Sequence, residues 1–232
     1  MYRCATLGMV LPLLLASLAA EPPATGTITG VVRFTGKVPQ PKLITTTDGL
    51  QIKHNDLVVD AKTKGLRWVA VVLEDAPAQE KVAKAEPVIV DQKDMIFMPR
   101  VVPVRHGQPV RFENSDQFNH SVQAISTLPA NQFNQFVGAN QPVTHTFEYQ
   151  PRPVMIGCTL HGWMRAWVFV VKHPWFAVTE ADGAFCMTNV PAGKYTLLLT
   201  HPDTGLQERR MVVVEVGKTA TVTVEWEKVE RK

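Results

Sequence analysis

Apolar and polar residues alternate along most of this chain in short runs, and no stretch makes a convincing helix. Thr27–Phe34 places Ile28, Val32 and Phe34 on one face, and Thr35-Gly36-Lys37 with Pro39 and Pro41 ends it as a strand. Residues 42–65 have weak periodicity, with one short strand expected at 57–59. Trp68–Leu73 is apolar throughout and reads as a firm strand. A second series begins near Pro87, with strands expected at 88–90, 95–99, 101–104, 110–114, 143–149, 154–156 and 166–171. A polar stretch from Asn131 to Gln141 interrupts it. A third series covers 176–179, 183–187, 194–199, 211–216 and 220–226. The last two runs are expected to pair across Gly217-Lys218-Thr219.

This pattern predicts an all-β protein of two sandwiches. Residues 74–86 carry Ala, Pro and Lys without a stripe and read as a connector. Neither the few strands before it nor the five after residue 174 close a sandwich alone. The expected organisation is therefore one small sandwich from 26–76 plus 174–226, with a second, 87–172, inserted in or adjacent to it.

The sequence has 232 residues, 45% of them hydrophobic, with 17 Pro and 14 Gly, as expected of a folded, turn-rich chain. Its formal charge of +3 is mild, and no basic stripe accompanies it, so nucleic-acid binding is not expected. Arg3, the apolar run from Leu7 to Ala20 and the small residues at 17–20 read as a signal peptide over 1–20. Cys4 lies before that run, so a lipid-bearing cysteine is not expected. The reading implies a periplasmic or secreted protein with no transmembrane anchor after cleavage. Export would place Cys158 and Cys186 in an oxidising compartment, where a disulfide between them is the plain alternative.

Cys158 has a second explanation in its neighbours. The loop Gly157-Cys158-Thr159-Leu160-His161-Gly162-Trp163-Met164 offers a thiol, an imidazole and a thioether, each separated by two residues, between two apolar runs. Thiolate and thioether are soft donors that suit copper. A fourth ligand is then expected from elsewhere, and His120, after the polar loop 114–119, is the best candidate. Taken singly, His120 reads more often as a surface histidine and Met164 more often as core packing, and Cys158 with His161 would suggest a nucleophile and base, for which no third orienting group is evident. The remaining histidines, at 54, 106, 145, 173 and 201, form no His-x-His pair.

Residues 87–172 resemble a cupredoxin of the plastocyanin and amicyanin type. The marks are Val110-x-Phe112-x-Asn114, Asp116 shortly before His120, and Cys158-x-x-His161-x-x-Met164. The flanks resemble a carboxypeptidase regulatory-like, transthyretin-like sandwich through Thr179–Phe185 and Val190–Leu197. The combination is similar to exported bacterial proteins of the methylamine-utilisation-like kind. The resemblance implies a Greek-key sandwich and one mononuclear type 1 copper, held by His120, Cys158 and His161 in a plane with Met164 on the axis. It implies that Ser121 and Asn114 stand behind these ligands, Ser121 occupying the usual asparagine position and able to hydrogen-bond the sulfur. It also implies electron exit at His161, with Trp163, Met98 and Pro99 as an apolar surround. Internal packing of Trp163 is the other option.

The expected function is one-electron transfer with a transient redox protein partner, without enzymatic activity. Copper storage, delivery or sensing is one alternative. A non-redox carbohydrate- or protein-binding sandwich is another.

Overall fold

The computed structural model describes residues 24–46 and 49–229, so the signal-peptide reading of 1–20 lies outside the described residues. The described strands are β1 (Thr25–Phe34), β2 (Lys42–Thr45), β3 (Gln51–His54), β4 (Ala70–Leu73), β5 (Val88–Lys93), β6 (Ile96–Met98), β7 (Val101–Arg105), β8 (Pro109–Asn114) and β9 (His120–Ile125). They continue with β10 (Phe133–Val137), β11 (Val143–Thr146), β12 (Val154–Gly157), β13 (Arg165–Val171), β14 (Phe176–Val178), β15 (Ala184–Pro191), β16 (Gly193–His201), β17 (Leu206–Val214) and β18 (Thr219–Trp226). Among the described residues there is no α-helix, and no helix is long and apolar enough to cross a membrane. The chain is all-β, as its alternation predicts.

Sheets β15–β1–β18 and β14–β4–β16–β17 share one core, which includes Ile28, Phe34, Leu73, Phe185, Leu197, Leu199, Val224 and Trp226. Sheets β10–β9–β12–β13–β7 and β11–β8–β5–β6 share another, which includes Val90, Phe97, Phe112, Val122, Phe147, Ile156 and Val168. Everything from β5 to β13 lies in sequence between β4 and β14, and those two strands pair directly, Val72 opposite Phe176. Gly183 closes the turn before β15 at φ +81°, where a Cβ would stand 2.2 Å from the Val32 carbonyl oxygen.

Several local expectations are corrected. Residues 57–59 form no strand; Val59 makes only an isolated bridge to Leu66. A hairpin, β2–β3, occupies 42–54 instead. It is largely exposed and has little hydrophobic pattern to announce it. The polar stretch 131–141 contains β10, an edge strand pairing only with β9. The runs 211–216 and 220–226 do not pair with each other. β17 pairs antiparallel with β16, whereas β18 runs parallel to β1 in the opposite sheet. Both bury one face in the same core, Val212 and Val214 from one side and Val224 and Trp226 from the other. Alternation records burial, and facing strands satisfy it as well as neighbouring ones.

Where the two sets of strands meet, Val101 and Phe169 pack with Trp68, Ala70 and Val178. Beside this apolar contact lies a buried ion pair, with Arg100 Nη2 2.7 Å from Asp203 Oδ2 and side chains 7% and 1% exposed. The pair is a charge contact without hydrogen-bond alignment at those two atoms. Asp203 Oδ1 accepts from Trp167 Nε1 at 2.9 Å, and Arg100 Nη1 donates to the Asn55 carbonyl.

His201, fully buried at the end of β16, meets the Thr204 hydroxyl through Nδ1 at 2.9 Å. Burial, opposed by the Asp203 charge and reinforced by Arg100, pushes its pKa down to about 4. The folded state therefore resists a proton that the unfolded chain accepts near pH 6.5. Stability is expected to be full above that pH and to fall by about 3 kcal/mol as pH drops toward 4. Denaturant midpoints measured between pH 7.5 and 4.5 check this, and His201→Gln should flatten the decline.

Candidate metal centre

Three strands place the site. β12 lies between β9 and β13, with Gly157 opposite both Gln123 and Arg165. The start of β9, the end of β12 and the start of β13 therefore meet at one end of the sheet, and His120, Cys158 and the loop 159–164 are brought together there. The loop is closed by its own backbone. Cys158 N donates to the Met164 carbonyl at 3.3 Å, and Met164 N donates to the His161 carbonyl at 2.9 Å.

The ligating atoms of His120, Cys158 and His161 all lie within 4.8 Å of one another. His120 Nδ1 and His161 Nδ1 are 3.0 Å apart, and His161 Nδ1 is 3.6 Å from Cys158 Sγ. His120 is fully buried, Cys158 is buried and His161 is partly exposed. His120 Nε2 donates to Asp116 Oδ2 at 2.9 Å, and a neutral imidazole that carries its proton there has a bare Nδ1. The second ring nitrogen of His120 is thus left as a lone pair aimed at the cluster.

The sulfur sits in a cage of donors. Ser121 N lies 3.4 Å and Ser121 Oγ 3.7 Å from Sγ, and the Leu160 N–H also points at it. Ser121 Oγ is itself held by Thr159, whose N and Oγ1 are each 2.8 Å away. Burial raises the Cys158 thiol pKa, but hydrogen bonds from His120 when its ring is protonated, and from Ser121 and Leu160, overcome it and bring the group from 9.0 to about 6. For His120, burial favours the neutral ring, while Cys158 and Asp116 outweigh it and raise the pKa.

Met164 is 1% exposed and belongs to the core beneath the loop. Asn114 touches none of the three ligating groups. Its Nδ2 donates to the Phe118 and Val137 carbonyls at 2.8 and 2.9 Å, and its Oδ1 accepts from Asp116 N at 3.0 Å. Asn114 therefore shapes the loop that delivers His120. Trp163 packs on the second core, and its ring centroid lies 5.3 Å from that of His161. Met98 is exposed and Pro99 half-buried on the β6–β7 turn, which Trp167 N ties to β13 through the Arg100 carbonyl at 2.8 Å. Cys158 and Cys186 are both free, and Cys186 is exposed on β15 between the buried Phe185 and Met187, so the disulfide alternative is not realised.

No protein-family model matches this sequence, and no curated protein matches it. Solved structures similar to part of it include cupredoxins and a copper-containing nitrite reductase. A purple cupredoxin from Nitrosopumilus maritimus is 18% identical, with a TM-score of 0.32 over 36% of this chain and 99% of that one. A copper-containing nitrite reductase from Thermus scotoductus is 22% identical, with a TM-score of 0.36 over 43% of this chain and 25% of that one. A copper(I) form of an amicyanin mutant is 18% identical, with a TM-score of 0.34 over 44% of this chain and 98% of that one.

Sequence reasoning left four contributors unassigned. Asp116 carries a direct bond to His120, and its position four residues earlier in a polar loop was the one available hint. Thr159 locks Ser121 from within the cysteine loop. Leu160 and Phe118 are large apolar side chains, 49% and 44% exposed, on the two loops that carry His161 and His120.

Proposed function

We propose that this protein binds one copper ion through His120, Cys158, His161 and Met164 and carries single electrons between protein partners. The observation that carries this reading is the preformed cluster of one depressed thiol and two imidazole nitrogens, within 4.8 Å of one another. Its donor set is soft and nitrogen-rich, which suits copper over calcium or magnesium. No carboxylate belongs to the cluster, and the Asp116 carboxylate is already committed to three donors. The two facing Nδ1 atoms support the same fit. Without an ion between them they gain at most one hydrogen bond; with one, both lone pairs are used.

Bound copper supplies a one-electron couple between copper(I) and copper(II). The protein's part is to hold the ligands still. His120 is fixed by Asp116 and Cys158 by Ser121 and Leu160, while Met164 is packed in the core. His161 is the ligand nearest solvent, its loop neighbours Leu160 and Gly162 are exposed, and we take them, with the exposed Phe118 on the His120 loop and Met98 at the end of β6, as an apolar docking surface. Such a surface fits brief docking, because it desolvates easily without long-lived ion pairs. We place the protein in an exported compartment, and regard 26–76 with 174–226 as a regulatory-like module around the copper-binding module 87–172.

Copper(II) titration followed by optical and electron-paramagnetic-resonance spectra tests the proposal. One equivalent is expected to give an intense blue band with narrow hyperfine splitting and a reversible one-electron wave. A colourless complex would overturn the reading. Tight copper(I) retention without a reversible wave would turn it toward storage or delivery.

A further inference from the structure

We infer that Asp116 is a positioning residue for both histidines of the centre, acting on His120 directly and on His161 through the Asp94–Met95 turn and Trp163. The inference rests on the copper reading above and assigns what aligns the ligands.

β5 and β6 are joined by two residues, with Lys93 opposite Ile96. Asp94 and Met95 have φ of 55° and 62°, the left-handed region at both central positions of a tight hairpin turn. That turn normally favours Asn-Gly or Asp-Gly, and a methionine side chain is poorly suited to it. Such a conformation persists only where its surroundings enforce it. Here Asp116 does so. Its Oδ1 accepts from Asp94 N at 2.8 Å, and its Oδ2 accepts from Met95 N at 2.9 Å. Oδ2 also takes the Nε2 proton of His120 at 2.9 Å. One carboxylate thus clamps the turn and the buried ligand together.

The turn reaches the second histidine from its other side. The Met95 carbonyl accepts from Trp163 Nε1 at 3.1 Å, and the Trp163 ring lies against the His161 ring at 5.3 Å. A closed circuit results: His120, Asp116, the Met95 peptide units, Trp163, His161, and back across the 3.0 Å gap between the Nδ1 atoms. Met95 is 5% exposed and its backbone has polar partners on both sides, so the turn does not move independently of either ring. Anchoring of the loop itself falls to Asn114, which bonds Phe118, Val137 and the Asp116 backbone. The Asp116 carboxylate is therefore free of that task, and its three acceptor contacts all run toward the turn and the ring.

Asp116→Asn and Trp163→Phe, singly and together, test the circuit. Asparagine keeps one acceptor and sets an N–H₂ donor against N–H groups, while phenylalanine keeps the ring and removes the bond to Met95. Copper affinity by chelator competition is expected to fall about 10–100-fold for Asp116→Asn, the range for partners that orient metal ligands. It is expected to fall for Trp163→Phe as well, with altered hyperfine splitting in both. The double variant should lose less than the product of the single factors, because both act through one turn. In the metal-free protein, nitrogen NMR should show the Nε2-protonated tautomer of His120 in the parent and its loss in Asp116→Asn. This readout does not depend on copper, so it separates failure of the positioning role from failure of the copper reading. Unchanged tautomer, affinity and spectrum in Asp116→Asn would overturn the inference, as would a strictly multiplicative double variant. Should Asp116→Asn fail to fold, an unchanged affinity and spectrum in Trp163→Phe would overturn it alone.

Discussion

Cys158→Ser is expected to abolish the intense visible band of the copper(II) protein outright, not merely to shift it. The band needs a thiolate, and at this position the protein has gathered groups that favour one: Ser121 N, Ser121 Oγ and the Leu160 N–H, with His120 adding to them when its ring is protonated. A serine hydroxyl stays protonated throughout the working pH range and offers a hard oxygen where the other donors are soft. Any copper that remains should be held by the two imidazoles and water, with wide hyperfine splitting and pale colour. The metal-free variant should unfold within about 1 kcal/mol of the parent, since the exchange is nearly isosteric and the new hydroxyl lies within reach of Ser121. Spectra and denaturant curves on the same samples separate the two effects. Loss of folding together with loss of colour would make Cys158 a packing residue and remove the basis for the copper reading.

Asp203→Ala is expected to cost about 3–5 kcal/mol, the usual penalty for removing one member of a buried ion pair. The Arg100 guanidinium, buried beside Asp203, would keep the Asn55 carbonyl but lose its counter-charge, and Trp167 Nε1 would lose its acceptor. Against a typical stability of about 5–15 kcal/mol this is a large fraction. The double replacement Arg100→Met with Asp203→Leu should recover most of it, because two apolar side chains of similar volume leave no buried charge. Urea unfolding of the four proteins gives the coupling energy. A cost below about 1 kcal/mol for Asp203→Ala would show the pair to be solvated and irrelevant to stability.

The two predictions differ in how far the sequence foretold them. The spacing of Cys158, His161 and Met164 is legible because one short loop carries all three, and of these the fold brings Cys158 and His161 together with His120. His120 is legible only by elimination, and Ser121 only by its place beside it. Asp116 bonding to the Asp94–Met95 turn is not legible, because that contact exists only once β5 and β8 lie in parallel register. Arg100 with Asp203 is more remote still. The partners lie in turns far apart in sequence, between β6 and β7 and between β16 and β17, and nothing in the local pattern marks either as buried. The same reason explains β17 and β18: alternation shows which face is buried, and the partner is chosen by the rest of the fold.

The pairing of β1 with β18 has a consequence for how the chain is made. During synthesis β1 emerges first, but its parallel neighbour is the last strand and its antiparallel one, β15, is not much earlier. Strands β5 to β13 are complete before either arrives, and they close a core without help from the flanks. They can therefore acquire their structure while β1 still waits, with Ile28, Val32 and Phe34 uncovered. A nascent chain interrupted between β13 and β15 would hold all the proposed copper ligands and still present a sticky, unpaired first strand.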